Sequence, residues 1–108
     1  MMPFLCKASD VTETGREYLV SGNGGAYYVM LFRLGDQVRA YQNVCPHRFL
    51  SLSWAPDRFM IGEDGLLVCP HHGAAFELEQ GECLQGPCVG DRLFPVEIRI
   101  TDDEIWLD

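Results

Sequence analysis

The side chains of this chain that could do chemistry are five cysteines and three histidines, and they are unevenly placed. All three histidines stand beside a cysteine, in Cys45-Pro46-His47 and in Cys69-Pro70-His71-His72-Gly73. Thiolate and imidazole are the groups that hold borderline-soft metals such as iron and zinc. A Cys-x-His joined by a spacer to a Cys-x-x-His offers two sulfur and two nitrogen donors. Chance can put one cysteine near one histidine. Two such pairs, each with proline after the cysteine and no histidine elsewhere, mark a metal site. The donor set alone suits more than one metal, because two Cys and two His also close a tetrahedral zinc site. Zinc fingers draw both cysteines from one knuckle and both histidines from a helix, whereas each knuckle here mixes one of each.

The flanks carry the pattern further. Cys45-Pro46-His47-Arg48 with Cys69-Pro70-His71-His72-Gly73 resembles the cluster-binding signature of the Rieske proteins. Phe76-Glu77-Leu78-Glu79-Gln80-Gly81-Glu82 is similar to the strand and turn after that family's second knuckle. Gly86-Pro87 is similar to its cluster-covering proline loop, and Phe94-Pro95-Val96 with Glu104-Ile105-Trp106-Leu107 to its last hairpin. The resemblance implies one [2Fe–2S] cluster per chain, with Cys45 and Cys69 on one iron and His47 and His72 on the other. The choice of His72 over His71 comes from the family spacing; the residues alone allow either.

The resemblance also implies a direction for the reduction potential. Hydrogen bonds to the cluster sulfurs raise it. Respiratory-chain relatives donate such bonds from a Ser and a Tyr, where this chain has Ala74 and Phe76. Those relatives also clamp the knuckles with a disulfide, where this chain has Leu50 and His71. Both departures point to the ferredoxin branch, with a potential nearer about −150 mV than about +300 mV. The implied function is one-electron transfer from a flavoprotein reductase to a terminal oxygenase. A small subunit of a larger oxidoreductase such as nitrite reductase is the alternative within the family, and a zinc-bearing interaction module the alternative outside it. No nucleophile with a base stands in the sequence, and no histidine is left for a mononuclear iron, so catalysis in this chain itself is not expected.

Three cysteines fall outside the ligand set. Cys6 reads as a buried apolar residue. Cys83 and Cys88 flank Gln85-Gly86-Pro87; an oxidising setting would join them, while a cytoplasmic one keeps thiols free. The spacer from His47 to Cys69 holds 21 residues, more than the family commonly has. The surplus falls in Trp54 to Met60, either as a partner-shaping loop or as a tolerated surface insertion. Phe49 stands where relatives often carry glycine.

Composition bounds the rest. The 108 residues suit one domain, 1–108, with residues of about 44–87 as an inserted cluster-binding subdomain in the manner of the family. Sixteen acidic against eight basic residues give a formal net charge of −8. Two ferric ions, two sulfides and two thiolates cancel, so an oxidised cluster leaves that charge unchanged. An acidic surface does not suit nucleic acid, which needs clustered Lys and Arg, but suits docking to a basic face of a redox partner. No apolar run has the length to cross a bilayer, and the N-terminus does not read as a signal peptide, so a cytoplasmic protein without membrane contact is expected.

The elements that must position these loops read as all-β. Residues 4–8 and 17–20 suit short strands. Ala26 to Leu34, a turn at Gly35-Asp36, and Val38 to Asn43 form a hairpin pattern. Leu66-Leu67-Val68 runs directly into the second knuckle. Val96, Ile98 and Ile100 alternate with polar residues as a half-buried strand, and Asp102-Asp103 turns back to Ile105 and Leu107. Short strands between Gly, Pro and Asp turns indicate a small antiparallel sandwich or barrel.

Overall fold

A computed structural model of the chain describes residues 4–22, 25–46, 50–71 and 73–108. Its architecture follows from one strand. β3 (Gly25–Leu34) is the longest element, and its middle is apolar without alternation: Val29, Met30, Leu31 and Phe32 are all fully buried. A strand with period two can bury four consecutive residues only if both its faces are covered. Val29 and Leu31 enter one core, with Cys6, Val11, Val20, Val38, Ala40 and Ile105. Met30 and Phe32 enter a second, with Tyr41, Leu52, Phe59, Leu67, Phe76 and the cysteines Cys45, Cys69, Cys83 and Cys88.

The sheets follow from this. β2 (Arg16–Gly22), β3 and β4 (Gln37–Gln42) form the middle antiparallel meander, in the order β2-β3-β4. β1 (Phe4–Lys7), β10 (Ile98–Thr101) and β11 (Glu104–Leu107) form a second sheet, ordered β1-β11-β10. The third sheet runs in sequence order through β5 (Ser53–Ala55), β6 (Arg58–Ile61), β7 (Leu67–Val68), β8 (Ala75–Phe76) and β9 (Cys83–Gln85). A short 3-10 turn, Ala8–Asp10, leads out of β1. Arg33 on β3 ties that turn down, donating to the carbonyls of Val11 (3.0 Å) and Ala8.

The expected all-β antiparallel sandwich is thus observed, and the strands at 4–7, 16–22, 25–34 and 37–42 fall where the apolar pattern places them. One reading needs correction. The alternation from Val96 to Ile100 does not make one half-buried strand: regular pairing begins at Ile98, and Ile100 is exposed. Val96 is instead held by its N–H on Ala40 O (3.0 Å), outside the sheet of β10. The segment from Trp54 to Met60 takes the form of the β5–β6 hairpin, turning at Pro56-Asp57.

Candidate metal centre

The two knuckle loops enter from different elements and close in the same way. The first leaves β4 through Asn43, and the Cys45 N–H donates to Leu50 O at 2.8 Å. The second is the connection of the β7–β8 hairpin, where Val68 pairs with Ala75. There the Cys69 N–H donates to Ala74 O at 2.7 Å, and the Gly73 N–H returns to Cys69 O at 3.1 Å. In both loops the cysteine amide reaches the carbonyl five residues on. The cysteine therefore sits at the base of a closed loop.

Cys45 and Cys69 are both fully buried, in the same core. His47 and His72, with Arg48 and Phe49, lie outside the described residues. His71 is described and exposed. Ala74 and Phe76 are fully buried and supply no side-chain donor, and Leu50 faces solvent.

A third segment covers the second loop. Gly86 (φ +95) lies so close to Ala74 that a Cβ on it would stand 2.7 Å from the Ala74 Cα. Glycine is the residue that allows both the positive φ and the contact. The segment is anchored at its ends by β9 pairing with β8 (Phe76 with Cys83) and by Asp91 N–H on Cys88 O at 2.9 Å. It brings two more sulfurs to the site. Cys83 Sγ donates to Gln85 O at 3.1 Å and stands 3.1 Å from Cys88 Sγ. The Cys88 side chain is also hydrogen-bonded to that of Cys45. Burial first, then the Cys83 and Cys45 neighbours, pushes the Cys88 thiol up. The sequence shows Cys83 and Cys88 flanking a turn, but nothing in it shows that the turn delivers Cys88 to Cys45.

Asn43 is the other residue that sequence reasoning missed. Its amide donates to Glu17 (2.8 Å) and to Ser53 Oγ (3.0 Å), and its carbonyl oxygen accepts the Leu52 N–H at 2.7 Å. It joins β2, the exit of the first loop and the β5–β6 hairpin. The hairpin is fixed to β2 a second time: Glu17 N–H donates to Asp57 (2.7 Å), and Asp57 N–H donates to Glu17 (2.9 Å).

Two closed loops, each delivering a buried thiol to one core, fit the half of a cluster that thiolates hold. Comparison with known proteins extends this. The model of the Rieske [2Fe-2S] domain matches residues 2–99. Ferredoxin CarAc of Metapseudomonas resinovorans is 33% identical over 103 residues, 95% of this chain and 89% of that protein. The ferredoxin of carbazole 1,9a-dioxygenase from Nocardioides aromaticivorans IC177 superposes with a TM-score of 0.76 at 22% identity, covering 99% of this chain and 96% of the other. A putative NADH-dependent nitrite reductase small subunit from Mycobacterium tuberculosis superposes with a TM-score of 0.68 at 26% identity, covering 99% and 93%. By a family match across nearly its whole length, and by a ferredoxin relative that it covers almost end to end, the chain belongs to the Rieske [2Fe–2S] family and has that family's cluster as its cofactor.

Proposed function

We propose that the chain is a one-electron carrier that takes electrons from a flavoprotein reductase and passes them to a terminal oxygenase. Cys45 and Cys69 hold one iron, and His47 and His72 the other. The span 44–87 works as the cluster-binding part of the single domain. The cluster, when bound, accepts and returns one electron and does no bond chemistry. The chain's own residues bury the two sulfurs, close both loops through the cysteine amides and shield the second loop with Gly86. One observation carries this reading: two loops of the same closure, each placing a fully buried cysteine in one core.

The surroundings suit a docking protein. Pro46, on the first loop, shares a surface hollow with Gly90, Leu93 and Phe94, and Leu50 and Val89 are exposed beside the loops. A small apolar tip on a chain of net charge −8 gives contact area at the electron port and long-range attraction to a basic partner. Among the described residues no helix is long and apolar enough to cross a membrane, and the cytoplasm is the location that goes with this reading.

The nitrite reductase small-subunit reading is the alternative, and the ferredoxin relative that is 33% identical over 95% of this chain weighs against it. Rapid mixing separates the two. The reduced chain should be reoxidised by a terminal oxygenase of the carbazole type, with a rate that falls as ionic strength rises. Reoxidation only by a nitrite reductase large subunit would move the chain to the alternative.

A further inference from the structure

Cys83 and Cys88 are absorbed neither by the ligand set nor by any electron path. We propose that they form a reversible dithiol–disulfide pair that responds to hydroperoxides and removes a thiol donor from the ligand Cys45. The observations are geometric. The two sulfurs are 3.1 Å apart across one short turn, so reaching the bond length of about 2.05 Å needs a shift of about an ångström. Both side chains are buried in the core that holds Cys45 and Cys69. Cys83 also lines a surface cavity of about 150 Å³ with Glu82, Gly90, Asp91 and Arg92. That is ample space for a small hydroperoxide, and Cys83 is the sulfur that lines it.

The hydrogen bonds set the roles. The Cys83 proton is engaged on Gln85 O, which leaves the Cys88 thiol to donate toward the sulfurs of Cys83 and Cys45. In the first step the Cys83 sulfur attacks the peroxide, the O–O bond breaks, and a sulfenic acid forms with one water from hydrogen peroxide, or one alcohol from an organic hydroperoxide. In the second step the Cys88 sulfur displaces the sulfenic oxygen. The S–S bond forms, and the oxygen leaves as water with the Cys88 proton. Two thiols are oxidised by two electrons and one hydroperoxide is reduced, so no further reactant is required. The product has no S–H at position 88. Hydrogen bonds to cluster sulfurs raise the potential, so oxidation of the pair lowers it. The covalent step stands on the thiols alone; its effect on potential rests on the Rieske reading.

The test uses the full chain with its cluster, titrated anaerobically with hydrogen peroxide, then alkylated under denaturing conditions and weighed. The expected product carries two fewer alkyl groups than the untreated chain, yields a Cys83–Cys88 linked peptide and is restored by dithiothreitol. Its midpoint potential falls and recovers with the same treatment, and neither change occurs in Cys83→Ser or Cys83→Ala. Separate sulfinic acids, a link through Cys45 or Cys69, or a Cys83–Cys88 link that leaves the potential unmoved would overturn the proposal. A chain that carries no cluster refutes the Rieske reading instead, and the mass of the peptide still decides the thiol step.

Discussion

Single side chains fix the loops more than their own size suggests. Asn43 makes three hydrogen bonds from a part-buried position to two separate segments, β2 at Glu17 and the entry to β5 at Leu52 and Ser53. Each such bond is worth about 1 kcal/mol net, and an unpaired Leu52 N–H would add a penalty. Asn43→Ala should therefore lower stability by about 2–3 kcal/mol in denaturant titration, and cluster content after purification should drop with it. Gly86 makes a sharper case, because a neighbour supplies the control. Gly86 and Gly90 both have positive φ, but a Cβ on Gly90 meets nothing within 4 Å, while one on Gly86 meets Ala74 backbone. Gly90→Ala should cost only backbone strain of about 1–2 kcal/mol. Gly86→Ala should cost about 3 kcal/mol or more, since it adds overpacking to that strain. Equal costs in thermal or chemical unfolding would show that the cover segment does not press on the second loop. None of this was legible in the sequence. Asn43 there is one more polar residue at the end of a strand, and a glycine beside a proline announces a turn but not what the turn touches.

At the scale of elements, the β5–β6 hairpin fills the middle of the 21-residue spacer between His47 and Cys69. It is integrated with the body by Phe59, which meets Phe32 edge-on with centroids 5.1 Å apart, and by the Glu17–Asp57 exchange of backbone and carboxylate bonds. It presents Trp54, 61% exposed, to solvent. Phe59→Ala should cost about 3–4 kcal/mol, as for other buried aromatic truncations, which a freely tolerated surface loop would not. Trp54→Ala should leave stability within about 0.5 kcal/mol. The extra length was legible as a count between two motifs. Its hairpin form was not, because Asp57 takes a positive φ (59°) that glycine would announce and aspartate does not. The strands of the middle sheet were legible for the opposite reason: β3 and β4 alternate or run apolar as pleated chains must, and Gly35 marks their turn. β10 was misjudged at its start because Val96, Ile98 and Ile100 alternate perfectly, yet the chain turns Val96 toward β4 first.

Across the whole molecule, two cores lie on opposite faces of one sheet, and the cysteines are confined to one of them except for Cys6. Each core contains a tyrosine that resists ionisation. Tyr41 donates to Leu78 O at 2.7 Å and is pushed up to about 12 by burial and then by Glu77. Tyr18 is pushed up to about 12 by burial and then by its hydrogen bond with Cys6. Both values stand above the unfolded one of about 10, so the unfolded chain loses these protons first. The stability they contribute is complete below about pH 10 and is lost as pH rises toward about 12. Denaturation midpoints should fall across that interval, and Tyr41→Phe, though weaker at neutral pH, should fall less steeply. The two Cys–His pairs were legible as a pattern, because spacing along the chain is local. The common burial of Cys45 and Cys69 was not, because it depends on strands and a cover segment that meet only in three dimensions. The central claim is that Cys45, Cys69, His47 and His72 carry a mixed sulfur–nitrogen [2Fe–2S] cluster. Absorption and EPR spectra of anaerobically purified protein, before and after dithionite, test it most directly. A red-brown protein whose reduced signal has an average g clearly below that of an all-cysteine cluster is the result predicted, with the signal lost in Cys45→Ser and Cys69→Ser and retained in His71→Ala. A colourless protein with one zinc, or a signal of the all-cysteine kind that draws on Cys83 and Cys88, would contradict it.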